Sequence, residues 1–121
     1  MAPTRPTLAQ LERELRRILT SDLTIEVAEL RGNAAAHVVF GRPHRIVVDP
    51  FECSIKDGVI HELLHVARYD DFHAWGKLEE PMVEAVEAEM TRYVNDSKAR
   101  RLWWRRTIER KLRETERGAN V

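Results

Sequence analysis

The feature of this sequence that most restricts its fold is a pair of histidines, His61 and His65, four residues apart in an otherwise apolar segment. Residues 58–67 contain no proline, and their composition favours a helix. On a helix, side chains at positions i and i+4 lie above one another on one face, so both imidazoles can bind the same metal ion. Neutral imidazole nitrogen is a common ligand of Zn²⁺. The segment therefore predicts a helix that carries part of a zinc site.

Between the histidines, Glu62 adds a second chemical function. It lies about 100° around the helix from His61, where it can reach a zinc-bound water as a general base without binding the metal. Ser54 followed by Asp57 is typical of a capped helix start. Aliphatic residues surround this helix on nearly every side, which disfavours a helix that simply exposes its polar groups to solvent. They are Val59, Ile60, Leu63, Leu64, Val66 and Ala67.

The overall composition indicates a single domain, spanning residues 1–121, with one hydrophobic core. A formal net charge of zero argues against binding to nucleic acid or membranes through overall charge. The only cysteine, Cys53, excludes a Cys-rich zinc site and is interpreted as a small half-buried apolar residue. No segment has the pattern of a signal peptide or of a membrane span, so we expect a cytoplasmic protein.

The N-terminal half predicts one helix and a small sheet. Residues 1–6 contain two prolines and are expected to form a loose tail. Thr7 can cap an amphipathic helix from Leu8 to about Leu19. The hydrophobic period then changes to two, which predicts three short strands. These strands are Leu23–Ala28, Ala36–Phe40 and His44–Val48. Their short connections favour an antiparallel meander, and His37 and His44 are interpreted as surface residues.

The C-terminal half predicts two helices of opposite charge. The first begins near residues 78–81 and is rich in acidic residues, and a break is expected at Asn95-Asp96-Ser97. The second is a basic helical extension over residues 98–121 that carries Trp103 and Trp104. Such a helix can dock on nucleic acid, on an anionic membrane surface or on an acidic protein. The interpretation we favour is a solvated helix that pairs with the acidic segment of its own or another copy, which leaves oligomerisation open.

A hydrolytic zinc site needs three protein ligands and one open position for water. His73 can supply the third ligand from the segment that follows the histidine helix. A glutamate of the next helix is the other source, and the candidates are Glu79, Glu80, Glu84, Glu87 and Glu89. Amphipathicity does not decide between them, because Glu87 lies nearer the centre of the apolar stripe than Glu84.

The spacing of these residues resembles that of the gluzincin metallopeptidases. His61-Glu62-Leu63-Leu64-His65, eighteen residues and then Glu84 match the H-E-x-x-H-x18-E pattern of the aminopeptidase N type. Glu84-Ala85-Val86 is also similar to the thermolysin group. The order of elements resembles the minimal gluzincins over about residues 20–95, although specific residues match only across 61–85. The resemblance implies an α+β zincin-like domain with zinc held by His61, His65 and Glu84.

The chain departs from related patterns in two respects. It is too short for the further domains and substrate-clamping residues of the long gluzincins. Arg68 and Asp71 stand where metzincins have glycine and histidine. A SprT-like pattern, with a third histidine after the helix, keeps His73 as the alternative ligand.

These observations predict a zinc-dependent peptidase that hydrolyses peptide bonds through a metal-activated water, with Glu62 as general base. Tyr69, His73 and Tyr93 are candidates for an auxiliary hydrogen-bond donor. In zincins an edge strand beside the helix typically aligns the substrate, so by resemblance His44–Val48 is expected to take the peptide or protein substrate by strand addition. Two alternatives stay open: a metal-binding regulatory protein without proteolysis, and a nucleic-acid or partner-binding module that uses the basic C-terminal helix.

Overall fold

A computed structural model of the chain describes residues 7–31, 35–69 and 80–119. In these residues the fold is α+β, with four helices and one three-stranded sheet. The elements in chain order are α1 (Leu8–Thr20), β1 (Leu23–Val27), β2 (Ala36–Val39), β3 (His44–Val48), α2 (Ile55–Tyr69), α3 (Glu80–Asn95) and α4 (Lys98–Ala119). They agree with the predicted elements to within one or two residues. The expected tail at residues 1–6 and the predicted helix start at 78–79 lie outside the described residues.

Side-chain caps begin the helices where the sequence predicts them. Thr7 accepts a hydrogen bond from the backbone N–H of Gln10 at 3.1 Å, and the Gln10 side chain accepts one from the Thr7 N–H at 2.9 Å. The Ser54 hydroxyl accepts from the Asp57 N–H at 3.0 Å and caps α2. Ser97 does the same for α4 through the Arg100 N–H at 3.3 Å. These bonds satisfy amide groups that the first turn of a helix leaves without partners.

The predicted antiparallel meander is wrong, and so is the expectation of a mostly antiparallel sheet. The strand order is β1-β3-β2, with β3 parallel to β1 and antiparallel to β2. Eight residues of the sequence, 28–35, separate β1 from β2, so these two strands need not pair with each other. Ile46, Val47 and Val48 are consecutive buried residues, as expected for a central strand that is covered on both faces. The sheet is therefore mixed, and β2 lies at its edge.

Helix α2 lies at the centre of the core. It contacts α1, α3, β2 and β3, and its aliphatic residues from Val59 to Ala67 are fully buried. Helix α4 packs along β1 and buries Trp104 completely. The Trp104 indole N–H donates to the buried Glu12 carboxylate at 3.2 Å, which also accepts from Arg16 at 3.2 Å. This buried hydrogen-bond network joins α1 to α4.

Gly58 allows α2 to approach the sheet closely. A Cβ atom added at this position would lie 3.0 Å from Val48 Cγ1, 3.1 Å from Cys53 Sγ and 3.4 Å from Ala36 Cβ. Val48 is fully buried and has little room to move aside. The missing side chain therefore brings the first turn of α2 into contact with β2 and β3.

We expect Gly58→Ala to destabilise the protein by about 1 kcal/mol. Overpacking a core costs about 1–3 kcal/mol, and the better helix propensity of alanine recovers at most about 1 kcal/mol of it. The free energy of unfolding, measured by urea titration with circular dichroism, tests this expectation. Gly41→Ala is the matched control, since its added Cβ would meet only Pro43 O at 3.5 Å. An unchanged or increased stability of Gly58→Ala would show that the close approach is unimportant.

Candidate metal centre

The two histidines of α2 lie on one face of the helix, as their spacing requires. Their ring centroids are 5.1 Å apart, and the ring planes are inclined by 62°. Both side chains are half-buried, whereas Glu62 between them is only 5% exposed. Asp57 stands one turn before His61 and extends the same face towards the start of the helix. Asp57, His61 and His65 thus form a polar face along α2.

An open cleft of about 830 Å³ lies along this face. Helix α2 forms its floor, strand β2 forms one wall, and α3 contributes the opposite side. His61, Glu62, His65, Glu84 and Glu87 all line it. The fold therefore brings the histidine pair, the predicted general base and two of the candidate glutamates to a single cavity.

Glu87 makes the best-defined contact in the cleft. Its Oε2 lies 2.9 Å from Nδ1 of His61. Because an ionised carboxylate only accepts hydrogen bonds, the Nδ1 atom carries the proton in this pair. Nε2 is then the ring nitrogen suited to bind a metal, and a carboxylate on the other nitrogen fixes the tautomer and orientation of a histidine ligand. The sequence suggests Glu87 only as an alternative ligand, since no local pattern indicates this contact between two helices.

The other candidate residues take different positions. The Glu84 side chain lines the cleft from α3 and is exposed. Tyr93 is not among the cleft-lining residues, and its ring packs under the Arg100 guanidinium at 3.7 Å from the ring centroid. His73 and the side chain of Tyr69 lie outside the part of the chain that the structure describes.

The types of residue in the cleft fit a zinc ion, although the side chains of these residues do not converge on one point in the structure. Two imidazoles with a nearby carboxylate are the ligand set of many hydrolytic zinc sites. In residues 7–31, 35–69 and 80–119, no three His, Cys, Asp or Glu side chains are close enough together to hold a metal. Zinc binding therefore requires a side-chain rotation, for which the exposed Glu84 has room, or a ligand from elsewhere in the chain.

Cys53 lines the same cleft as a half-buried residue, as predicted. Burial raises the pKa of its thiol, and the negative charges of Asp57 and Glu87 raise it further. A thiol that stays protonated at neutral pH is a poor zinc ligand. The same carboxylates that disfavour a thiolate favour a cation in the cleft.

The expectation that His44–Val48 takes a substrate strand is wrong, because β3 is paired on both sides. Strand β2 is instead the edge strand beside α2. The Asp49 N–H donates to Ala35 O at 2.8 Å, so residues 35 and 49 form a hydrogen-bonded pair of the antiparallel ladder. Bonded and non-bonded pairs alternate, so the backbone groups of Ala36 and Val38 point away from β3. Both residues line the cleft.

The alternation of side chains between the two faces of a strand also defines the position of His37. Ala36 and Val38 pack against the core, so the His37 side chain projects from the opposite face of β2, as does its partner Val47 on β3. His37 is nevertheless among the residues that line the cleft. The His37 residue is half-buried, and its interpretation as a surface residue rather than a metal ligand stays a prediction.

No family model, curated protein or solved structure matches this chain. None of the helices in the described part of the chain has the length and hydropathy needed to cross a membrane. The function is therefore inferred from the chemistry and geometry of the cleft.

Proposed function

We propose that this protein is a zinc-dependent metallopeptidase of the gluzincin type. The observation that carries the proposal is the common cleft in which His61, Glu62 and His65 of α2 meet Glu84 and Glu87 of α3. The gluzincin-like spacing supports it independently, since spacing is a property of the sequence and the shared cleft is a property of the packing. The α+β order of helix, strands, histidine helix and glutamate helix is consistent with a minimal zincin-like domain.

His61, His65 and Glu84 are the residues we propose as metal ligands. When bound, zinc supplies the chemistry of a Lewis acid, which lowers the pKa of water and polarises a peptide carbonyl. The Glu62 carboxylate is proposed to accept a proton from the attacking water and to return it to the leaving amine. Its burial within α2 limits its movement, which favours a fixed position for proton transfer.

Glu87 is proposed as a positioning residue rather than a ligand. Its bond to Nδ1 of His61 fixes the orientation of the imidazole and leaves Nε2 as the nitrogen available to a metal. Carboxylates in this role increase the basicity of the histidine and reduce the freedom of its ring. Glu84 and Glu87 would therefore share the cleft but serve different purposes.

Strand β2 is proposed to bind the substrate backbone. An extended peptide placed along its outer edge can form hydrogen bonds with the N–H and C=O groups of Ala36 and Val38. This arrangement lays the peptide between β2 and the histidine face of α2. Because backbone groups make these contacts, binding along β2 depends little on which side chains the substrate carries.

The assignment of ligands predicts different metal losses for the two glutamates. We expect close to one zinc per chain in wild-type protein and loss of that zinc in Glu84→Gln. Glu87→Gln should still bind zinc, with an affinity reduced about 10- to 100-fold. Zinc content after purification without added metal, followed by titration with a chelator, measures both effects.

His73→Ala provides the control for the third ligand. Zinc loss in His73→Ala but not in Glu84→Gln would transfer the ligand role to His73. A wild-type protein that binds no zinc even after reconstitution would reject the proposed site.

The role of Glu62 is tested separately from metal binding. Glu62→Gln should retain zinc and lose peptide hydrolysis by about 10²- to 10⁴-fold, the usual contribution of a general base. Cleavage of a peptide library, followed by mass spectrometry, provides the measurement, with zinc content determined on the same samples. Full activity in this variant would remove Glu62 from the mechanism. A zinc-loaded wild type that cleaves no peptide would favour the regulatory alternative.

Strand addition at β2 predicts a pattern of two-residue periodicity in the substrate. N-methylation of single backbone amides should slow cleavage by about 2- to 10-fold per lost hydrogen bond at alternate positions only. Cleavage rates for a series of singly methylated peptides test this pattern. Equal tolerance at every position would contradict binding along β2.

A further inference from the structure

We infer a second binding site, a groove between the start of α2 and helix α4 that docks an acidic amphipathic helix of a partner protein. The groove has a volume of about 620 Å³. It shares no lining residue with the metal cleft, which lies on another side of α2. The inference therefore does not depend on the proposed peptidase activity.

One face of α4 forms the length of the groove. The α4 residues that line it recur at intervals of one or three and span Lys98 to Leu112, which corresponds to about 21 Å along the helix. Ile55, Leu102, Ile108 and Leu112 supply an apolar floor, in which Ile108 is buried and the others are half-buried. The length and the apolar stripe suit the side of another helix, which inserts residues spaced three and four apart.

The rim of the groove is strongly basic. Lys56, Lys98, Arg101 and Arg105 line it against one carboxylate, Glu109, which lies 3.8 Å from Arg105. Lys56 and Arg101 donate to the side-chain and backbone oxygens of Asn95, which are uncharged. Within the described residues, Lys56, Lys98 and Arg101 therefore have no carboxylate partner. An occupant with acidic residues beside its apolar stripe matches both parts of the groove.

Other occupants fit less well. A nucleic acid would satisfy the basic rim but would leave the apolar floor facing its phosphate backbone. A flat membrane surface cannot follow a concave groove between two helices. A second copy would have to offer an acidic amphipathic helix, and in α3 the apolar residues Val83, Val86 and Met90 are already buried in its own core.

The test uses a fluorescein-labelled synthetic peptide of about 18 residues, roughly 27 Å long as a helix, with leucines at i, i+3, i+4 and i+7 and glutamates between them. Binding to the full chain is followed by fluorescence anisotropy. A scrambled peptide of the same composition has the same charge without an apolar stripe. We expect the wild type to bind the amphipathic peptide at least about tenfold more tightly than the scrambled one, because only the former can fill the floor.

Charge reversal at the rim tests the electrostatic part of the recognition. Lys98→Glu/Arg101→Glu should weaken binding by roughly tenfold or more, since each substitution replaces attraction by repulsion. Both sites are exposed in the first turn of α4, where acidic residues are compatible with the helix dipole. The matched control is Arg106→Glu/Arg110→Glu, which reverses two exposed charges of α4 outside the groove and should change binding little. Circular dichroism establishes that each variant is folded, and Lys98→Ala/Arg101→Ala replaces any reversal variant that is not.

Three results would overturn the inference. Equal binding of the scrambled peptide would reduce the interaction to non-specific charge attraction. Equal weakening by the control variant would place the interaction outside the groove. A DNA duplex that displaces the peptide and binds more tightly, with the same loss in the rim variant, would make the groove a nucleic-acid site.

Discussion

The burial of α2 on nearly all sides is the constraint on which the rest of the structure depends. Its six aliphatic residues between Val59 and Ala67 have no exposed surface, and each buried valine, leucine or isoleucine side chain among them contributes about 1.5–3 kcal/mol of hydrophobic stabilisation. Because α2 meets α1, α3 and the sheet, little of its surface is left open. The polar face with Asp57, His61 and His65 lies along the open cleft. The candidate metal centre is therefore where the packing of the core leaves space for it.

The order of the strands determines what lies opposite the histidines. With β3 in the centre of the sheet, β2 becomes the edge strand and lies beside the first turns of α2. Gly58 permits this contact, because a larger residue would meet Val48 and Cys53. Asp49, which is buried at the end of β3, accepts hydrogen bonds from the N–H groups of Leu30 and Phe51, both at 3.0 Å. It thereby ties the connection between β1 and β2 to the end of the central strand.

Local sequence patterns predicted the helices, the strands and the histidine pair of the candidate site. Long-range packing determined the strand order and the contact between Glu87 and His61. Caps and hydrophobic periods indicated each helix and strand, and the i, i+4 rule was sufficient to place His61 beside His65. The antiparallel meander was predicted because short connections usually join strands that pair with each other. Strand order instead depends on long-range contacts, which local patterns do not show. The three consecutive apolar residues at Ile46–Val48 were the available signal for a central strand. Glu84 and Glu87 are only three residues apart, so both turn towards the cleft, and only the packing of α3 on α2 brings Glu87 to His61.

The zero net charge conceals two oppositely charged surfaces. The cleft is lined by the carboxylates of Asp57, Glu62, Glu84 and Glu87, and no Lys or Arg of the described residues lines it. The charged residues that line the groove along α4 are instead mainly basic. Glu84 and Glu87 of α3 line the cleft, whereas Lys98, Arg101 and Arg105 of α4 line the groove, so oppositely charged residues of these two helices lie on different surfaces. Opposite charges at the two sites favour different partners, which is consistent with the proposed cation in the cleft and the proposed acidic helix in the groove.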